Sequence, residues 1–442
     1  MRLCLAISAS TFVLLVSATC SSPAWGQTPD AADSGDAEKS EIPTTGESLP
    51  PFAEFDKWIV GFMAESNIPG GSLAIARHGK VVYARGYGYA DRENKEPVQP
   101  DSLFRIASVS KPITAAAIMR LVEQDKLKLD DKVFDLLAME PHLEEGAAFD
   151  ERWRQITIAQ CLTHTGGWDR DKSYDPMFQQ TRIATSMKLD LPVETQNIIR
   201  YMMGQPLDFD PGERYAYSNF GYCILGRVIE RIGGKPYEQF VREEVFAPIG
   251  ITAPRIGHSI ESQRAENEVK YYEPTEARET AVVGPGAGKD EVPISYGAWY
   301  HESLDAHGGW IASTIDLVRF AAAFDADPRT PIISEESKRA MFSPGVLVRP
   351  GRGNRQPALH YGFGWRLRSG RGERRIADHG GALPCTAAML LRLPDDVNVA
   401  VLFNLGKSAD GQFLGRGLVE PLVQMVAEVD DWPERDLLPG GP

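Results

Sequence analysis

Ser108 and Lys111 are a pair of residues whose types and spacing can do chemistry. They form a Ser-x-x-Lys sequence that an Ala-rich, amphipathic segment follows directly. If this segment is a helix, the two side chains lie one turn apart on the same face, with Pro112 in the first turn, where proline is tolerated. A hydroxyl within hydrogen-bonding distance of an amine is a nucleophile beside its activating base. The helix N-terminus would also direct backbone N–H groups toward an oxyanion formed at Ser108.

Tyr217, Ser218 and Asn219 form the second candidate group, on a short loop before an amphipathic segment that begins at Gly221. A phenol near a lysine can be partly ionised and can transfer protons. The Asn219 amide can donate to a substrate carbonyl. Ser218 or Asn219 would equally serve as a helix N-cap, and the two interpretations are compatible.

The third candidate is a His-x-Gly triplet, which is a weak signal because four of them occur. They begin at His164, His307, His360 and His379. Only His379 ends a β-patterned segment that further strands follow, and its two glycines, including Gly381, would let a substrate backbone approach closely. The triplets at His164 and His307 lie at Gly-rich turns and are interpreted as structural, whereas His360 is ambiguous.

In this order, Ser-x-x-Lys, Tyr-x-Asn and His-x-Gly resemble the serine β-lactamase and penicillin-binding-protein superfamily, in particular its class C-like branch. The resemblance covers roughly residues 52–430 and extends to the segments around His164 and Tyr217, namely Ile-Ala-Gln-Cys-Leu-Thr-His-Thr-Gly-Gly and Asp-Pro-Gly-Glu-Arg-Tyr-Ala-Tyr-Ser-Asn. The branch includes β-lactamases, D,D-peptidases, D-amino-acid peptidases and esterases. The resemblance therefore implies a serine hydrolase that acts on small-molecule esters, peptides or β-lactams.

The family mechanism implies a role for each matching residue. Ser108 attacks an acyl carbonyl and forms an acyl-enzyme, and Lys111 and Tyr217 share the general-base role, with the choice between them left open. The backbone N–H groups of Ser108 and Ala382 form the oxyanion hole. Asn219 and His379 orient the substrate.

Two positions depart from the family pattern. His379 stands where many relatives have lysine, and a histidine is mostly neutral at pH 7, which favours esters or peptides over a carboxylate-bearing β-lactam. Asp378 beside it could raise the pKa of His379 and weaken this inference. Cys385 stands where relatives often have glycine, and we interpret it as a packed small residue rather than a second nucleophile.

Composition limits the classes of partner. The chain has 442 residues and a formal net charge of −14, and no basic stripe interleaved with aromatics is present, so we expect no nucleic acid. Beyond Cys4 and Cys20, the cysteines are Cys161, Cys223 and Cys385, whose wide spacing is not a disulfide framework, although one bridge is possible. Metal-ligand spacings are lacking, so we predict neither a metal nor another cofactor. The oligomeric state is left open.

The N-terminus predicts export to the periplasm or the extracellular space. Residues 1–26 have a positive start, a short apolar core and an Ala24-Trp25-Gly26 cleavage site, which are typical of a signal peptide. A lipid anchor at Cys20 is the alternative, and a stable membrane span is not expected. We interpret residues 27–50 as a disordered linker and residues 431–442 as a tail.

Strand patterns occur at both ends of the remaining chain and flank a helical middle. They predict an α/β (α+β) fold within residues 51–430. Its antiparallel sheet would be built from residues 51–125 and 300–430, with a mostly helical insertion at 126–299. Such a junction favours a ligand cleft, and the irregular residues 260–300 could be a lid over it. The competing hypothesis from another class is a non-catalytic protein that binds peptidoglycan fragments or peptides on the same fold.

Overall fold

The computed structural model describes residues 42–352, 357–369 and 375–438. These ranges contain every candidate site residue. The predicted signal peptide 1–26 and the possible lipid anchor at Cys20 lie outside them.

The described fold begins earlier than the sequence pattern indicates. Thr44–Thr45 forms a short strand against Gly86 and Tyr87, and Thr45 Oγ1 donates to the carbonyl of Val98. The prediction of a disordered linker is therefore wrong for residues 42–50, whose backbone hydrogen bonds extend the edge of the sheet.

The predicted C-terminal tail is also ordered as far as it is described. The indole of Trp432 lies under the Arg77 guanidinium, 4.7 Å from it, and the N–H of Leu437 donates to the carbonyl of Val81. Residues 432–438 therefore pack against the two strands that contain Arg77 and Val81.

A large antiparallel sheet organises the molecule. It has ten strands, in the order β1-β3-β2-β15-β14-β13-β12-β11-β10, with β4 paired to β3. N-terminal strands thus pair directly with C-terminal ones, as between Ala74 and Ala400. The fifteen described strands, including those of two small sheets, are β1 Thr44–Thr45, β2 Gly70–Arg77, β3 Lys80–Asp91, β4 Glu96–Pro97, β5 Phe104–Arg105, β6 Arg255–Ile256, β7 Arg278–Thr280, β8 Glu291–Pro293, β9 Trp310–Ala312, β10 Val346–Arg349, β11 Leu359–Tyr361, β12 Arg366–Ser369, β13 Arg375–Leu383, β14 Thr386–Leu393 and β15 Val397–Phe403.

Helices cover both faces of this sheet. The eleven described α-helices are α1 Ala53–Ser66, α2 Ser110–Glu123, α3 Val133–Leu137, α4 Ile158–Leu162, α5 Gln180–Met187, α6 Thr195–Met203, α7 Asn219–Gly233, α8 Tyr237–Val241, α9 Thr314–Ala322, α10 Glu335–Phe342 and α11 Val419–Ala427. One apolar core lies between the sheet and α1 and α11. The other joins the opposite face to α2, α9 and the helices of the middle region. The predicted α+β class is confirmed.

Helix α2 lies at the centre of the second core. Eleven of its fourteen residues are buried, including Lys111, because the helix packs between the sheet and helix α7. Its Ala-rich sequence suits this position, since small side chains let neighbouring elements approach closely.

Two sequence interpretations need correction. The pattern of Tyr361-Gly-Phe-Gly-Trp-Arg-Leu predicts one strand, but a turn with Gly364 at φ +79° interrupts it and separates β11 from β12. The segment 260–300 contains the short β7–β8 hairpin. Its buried Tyr271 and Tyr296 pack around the Arg105 guanidinium, so it supports the strand that leads to Ser108. No described residue of this segment lines the cavity at Ser108.

Within the described ranges, every helix is too short or too polar to cross a membrane.

Candidate active site

Ser108 lies in a tight turn at the start of α2. Residues Ala107–Val109 form a single 3₁₀ turn, and α2 begins at Ser110. Ala107 has φ +46°, a conformation that costs energy for any residue except glycine. The turn is held because Ser110 Oγ donates to the Ala107 carbonyl at 2.7 Å and the Ile106 N–H donates to Trp310. Ser108 itself remains half-buried and open to the cavity.

Lys111 is completely buried and makes three polar contacts through Nζ. Nζ lies 3.0 Å from Ser108 Oγ, 2.7 Å from Asn219 Oδ1 and 2.8 Å from the His307 carbonyl oxygen. Burial lowers the pKa of Lys111 well below its usual value, and the charge of Arg170 lowers it further. The amide and carbonyl oxygens can only accept. A neutral amine therefore gives its two N–H groups to them and turns its lone pair toward the Ser108 hydroxyl.

Tyr217 lies on the other side of the nucleophile. Its hydroxyl is hydrogen-bonded to the Ser108 side chain, and burial raises the pKa of Tyr217 to about 12 despite that bond. Tyr217 is therefore a protonated phenol at neutral pH. Ser218 is the N-cap of α7, with Oγ accepting from the Gly221 N–H at 3.2 Å, so capping and the placement of Tyr217 coexist in one loop.

His379 occupies a different position from the one expected. It is 2% exposed, Nδ1 lies 3.0 Å from the Gly380 carbonyl oxygen and Nε2 lies 2.9 Å from the Tyr361 hydroxyl. A carbonyl only accepts, so Nδ1 carries the proton and Nε2 accepts from Tyr361. Both ring nitrogens are thus engaged within the protein, and His379 does not line the cavity. This geometry does not meet the expectation that the His379 side chain orients the substrate.

Asp378 does not make His379 basic. Its carboxylate is fully buried and paired with Arg366 and Arg368 on β12. Burial, followed by the charge of Arg366, lowers the pKa of His379 well below its usual value. The prediction that Asp378 could raise this pKa is therefore wrong, and the imidazole is neutral.

Gly381 and Ala382 bring β13 against the nucleophile turn. A Cβ added at Gly381 would lie 2.1 Å from the carbonyl oxygen of Ile106. Only glycine permits this approach. Ala382 follows on the exposed side and lines the cavity together with Ser108.

We expect Gly381→Ala to lower both stability and activity. The added methyl group must displace β13 from the Ile106 backbone, which should cost roughly 1–3 kcal/mol of unfolding free energy and about a hundredfold in kcat/KM, the scale of an ångström-sized misplacement. Thermal unfolding and ester hydrolysis measure the two effects. Gly61→Ala is the control, because nothing lies within 4 Å of an added Cβ there. That variant should be neutral or slightly stabilised. An active, unperturbed Gly381→Ala would contradict the close contact.

A cavity of about 380 Å³ opens at Ser108. Asn219 and Ala382 also line it, whereas Lys111 and Tyr217 do not. Its lining includes the charged residues Arg170, Asp171 and Asp175 and the apolar residues Phe178, Leu304 and Phe413.

Several of these residues carried no recognisable signal in the sequence. Arg170 and Asp175 lie in an irregular loop after the His164 triplet, and no spacing links them to Ser108. His164 and His307 were interpreted as structural, yet the His307 carbonyl accepts from Lys111, and the His164 ring lies 4.3 Å from that of Tyr217. For His164, its position in a family-like segment was the only available hint, whereas His307 lies outside these segments.

Cys161, Cys223 and Cys385 are all free and buried. Burial raises the pKa of Cys385, and its sulfur lies 3.6 Å from Arg105 Nη1. Cys385 is therefore a packed thiol rather than an exposed thiolate. No described group of His, Cys, Asp and Glu side chains has the arrangement of a metal site.

Comparison with known proteins gives concordant matches. The family model described as "Beta-lactamase" matches residues 55–420. Penicillin-binding protein 4* of Bacillus subtilis (strain 168) is 30% identical over 329 residues, which are 74% of this chain and 65% of that protein. Esterase EstB of Burkholderia gladioli is 36% identical over 197 residues, 43% of this chain and 47% of the esterase. The chain thus spans less than two thirds of the length of either relative.

A solved structure extends the likeness to the whole fold. The octameric penicillin-binding protein homologue from Pyrococcus abyssi is similar with a TM-score of 0.62 and 25% identity. The match covers 81% of this chain and 74% of that one.

Proposed function

This chain belongs to the beta-lactamase family, and on that premise we propose that it is a serine hydrolase in which Ser108 forms an acyl-enzyme with esters, amides or D-peptides, and with β-lactams as a less favoured class. The observation that carries the proposal is the contact between Ser108 Oγ and the fully buried Nζ of Lys111, 3.0 Å apart at the floor of an open cavity. A hydroxyl so placed is an activated nucleophile.

Acylation begins when Ser108 Oγ attacks the substrate carbonyl carbon and its proton passes to Lys111 Nζ. The carbonyl oxygen becomes an oxyanion, which the N–H groups of Ser108 and Ala382 stabilise. The close approach of β13 to the Ser108 turn supports this assignment. The intermediate then collapses, the bond to the leaving group breaks, and the leaving atom takes a proton.

We assign the general base to Lys111 and the protonation of the leaving group to Tyr217. Lys111 has a strongly lowered pKa and a lone pair that faces Ser108, whereas the pKa of Tyr217 is raised to about 12. A phenol with that pKa is a poor base and a competent proton donor. Lys111 then reprotonates Tyr217 through a water molecule, because the Ser108 oxygen is an ester oxygen at this stage and has no proton to relay.

Deacylation repeats the same chemistry with water. The water attacks the acyl carbonyl, Lys111 accepts its proton, and Ser108 Oγ leaves and is reprotonated. The product is a carboxylic acid, and the enzyme returns to its starting state.

The substrate class follows from the surroundings of Ser108. His379 is neutral and points away from the cavity, so it supplies no cation for a substrate carboxylate. Phe178, which is 39% exposed, and the partly exposed Phe413 offer an apolar surface to the acyl group. We therefore favour esters and peptides with apolar acyl groups over carboxylate-bearing β-lactams.

We also propose that the chain is exported, periplasmic or extracellular, on the signal-like residues 1–26. A precursor and a mature form that starts near Gln27 should be separable by N-terminal sequencing of secreted protein. Finding only the uncleaved form in the cytoplasm would refute export.

A substrate panel tests the reaction directly. The chain is assayed with p-nitrophenyl esters of increasing acyl length, nitrocefin and D-Ala-D-Ala peptides, with Ser108→Ala as the matched control. We expect the esters to give the highest kcat/KM. Nitrocefin turnover that exceeds ester turnover would contradict the substrate preference, and turnover by the control would contradict the mechanism.

Tyr217→Phe should lower kcat/KM by at least about a hundredfold, the scale of general acid–base catalysis. The substitution keeps the ring that packs against His164 and removes only the hydroxyl at Ser108. Substrates with a poor leaving group should lose the most, because p-nitrophenolate departs without a proton. An equal loss for amides and p-nitrophenyl esters would argue against Tyr217 as the proton donor.

A further inference from the structure

Arg170 and Asp175 form a charged pair at the cavity that the proposed mechanism has not used. Arg170 Nη1 lies 4.0 Å from Asp175 Oδ2. The Arg170 side chain is 41% exposed and that of Asp175 is 15% exposed, and both line the cavity with Ser108.

Asp175 holds the amide of Asn219 in one orientation. Its Oδ2 accepts from Asn219 Nδ2 at 2.7 Å, and its Oδ1 accepts from the Met177 N–H at 3.2 Å. A carboxylate only accepts hydrogen bonds, so the amide must present Nδ2 to it and Oδ1 to the opposite side. Asn219 Oδ1 is the atom that accepts from Lys111 Nζ at 2.7 Å.

These contacts form a continuous chain from Asp175 through Asn219 to Lys111 and Ser108. Each link is 3.0 Å or shorter. Because Asn219 presents Oδ1 to Lys111, one N–H of the amine points to that oxygen. The lone pair of the amine can then accept from the Ser108 hydroxyl. Asp175 thus acts on the base although it does not touch it.

Arg170 acts on the same amine from the cavity side. Its guanidinium carbon lies 4.7 Å from the centre of the Tyr217 ring, and Lys111 Nζ lies 4.9 Å from the same point. The guanidinium of Arg170 and the amine of Lys111 therefore lie against the same aromatic ring. A positive charge so close disfavours protonation of Lys111, and the negative charge of Asp175 favours it.

The other titratable groups around Lys111 are uncharged or already paired. The rings of Tyr217 and Tyr222 lie near Nζ, and burial raises the pKa of both phenols. Three buried histidines also face this region with strongly lowered pKa values, namely His164, His307 and His379.

Arg366 is the next cation, and it is neutralised by Asp378. Asp175 and Arg170 therefore remain, within the described residues, as the opposed charges that act on the amine.

We propose that Asp175 and Arg170 are positioning residues of the hydrolysis, which hold Asn219 and Lys111 in the arrangement that accepts the Ser108 proton and together set the basicity of Lys111. The inference rests on the proposed acyl-enzyme function. The two residues act through Lys111 and need no contact with the substrate.

The two charges predict opposite effects on the pH dependence. The reactive form of Lys111 is the neutral amine, so kcat/KM falls as pH drops through its pKa. Asp175→Asn removes a negative charge, lowers this pKa and moves the acid limb to lower pH. Arg170→Gln removes a positive charge, raises the pKa and moves the limb to higher pH. Each shift should be about 0.5 pH unit or more.

The experiment measures kcat/KM for a p-nitrophenyl ester, and the rate of Ser108 modification by a fluorophosphonate, from pH 5 to 10. The variants are Asp175→Asn, Asp175→Ala, Arg170→Gln and Arg170→Lys. Asp175→Asn keeps one oxygen for Asn219 but loses the acceptor for the Met177 N–H, so its kcat should fall less than that of Asp175→Ala, which should lose roughly tenfold. Arg170→Lys keeps the charge and should restore the wild-type limb.

Arg154→Gln is the matched control, because Arg154 pairs with Glu151 on an exposed turn outside the cavity. Its limb should coincide with that of the wild type. This inference is wrong if the acid limbs of the pH profiles coincide for all variants. It is also wrong if the limbs of Asp175→Asn and Arg170→Gln shift in the same direction. The proposed function stands in both cases. A wild-type chain that the fluorophosphonate does not modify at Ser108 would overturn the proposed function and this inference with it. The exposed Arg170 side chain keeps the test decisive if the Asp175 variants fold poorly.

Discussion

Replacing Ser108 with alanine should abolish hydrolysis of every acyl substrate and all covalent labelling by fluorophosphonates or penicillins. The expected loss in kcat is roughly 10⁴-fold or more, because no other group can form the acyl-enzyme. Stability should change little, since Ser108 is half-buried and Lys111 keeps its contacts with Asn219 and His307. Steady-state kinetics, intact-protein mass after labelling and thermal unfolding measure the three effects.

Ser110→Ala is the matched control for this experiment. Ser110 belongs to the same Ser-Val-Ser-Lys segment, but its hydroxyl is buried and donates to the Ala107 carbonyl. Its loss should cost about 1 kcal/mol of stability and slow labelling without abolishing it, because Ser108 is still present. Labelling that persists in Ser108→Ala, or that disappears only in Ser110→Ala, would remove Ser108 from its role.

The nucleophile was predictable because its geometry is local. Ser108 and Lys111 are three residues apart at the start of a helix, so helical periodicity alone brings Oγ and Nζ together. The order of strands and helices was also predictable, since the strands at both chain ends have apolar patterns and the middle has helical ones. The sequence predicts that both chain ends share one sheet, but the pairing of β2 with β15 is seen only in the structure.

The contacts across long sequence distances were not predictable. Asp175 reaches Asn219 through a loop without periodicity, and nothing in its sequence shows which way the carboxylate points. His379 shows that this limit on prediction also applies to a residue in a recognised motif. Its motif predicted a substrate contact, but the ring turns inward because Tyr361 and the Gly380 carbonyl satisfy both nitrogens.

The predictions for residues 42–50 and 260–300 were wrong for another reason. The lack of aromatics in residues 27–50 indicates disorder and the irregular pattern of residues 260–300 indicates a lid, but backbone hydrogen bonds to a strand edge need no particular side chain. Thr44 and Thr45 therefore extend the sheet. Tyr271 and Tyr296 enclose Arg105, whose side chain donates to carbonyl oxygens of Ser295 and His258, so the supposed lid is part of the support for the nucleophile turn.

The buried lysine connects stability with catalysis in this site. An ammonium group without solvent exposure is costly, and that cost lowers the pKa of Lys111. The folded chain therefore holds a neutral amine where the unfolded chain would hold a charged one. The same burial that opposes folding supplies the base.

Lys111→Met should reveal both consequences. Methionine is unbranched and fills a similar space, but it cannot accept the Ser108 proton, so kcat/KM should fall by roughly a hundredfold to ten-thousandfold. The acid limb that belongs to Lys111 should disappear from the residual activity. In the wild type, the unfolded state binds more protons than the folded state between the lowered pKa of Lys111 and its ordinary value near 10.5. The free energy of unfolding should therefore rise with pH in that window.

The Met variant should lose this part of the pH dependence, which urea unfolding at several pH values measures. Asn219 Oδ1 and the His307 carbonyl oxygen lose a donor in the variant, which should cost about 1–3 kcal/mol each and offset the relief of the buried amine. Lys111→Arg is the comparison variant, because its guanidinium stays charged. It should be as inactive as Lys111→Met, but it should not gain the stability that comes from removing the buried amine. A Met variant that keeps its activity within tenfold would transfer the base role to Tyr217, since no other proton acceptor of the described residues contacts Ser108 Oγ.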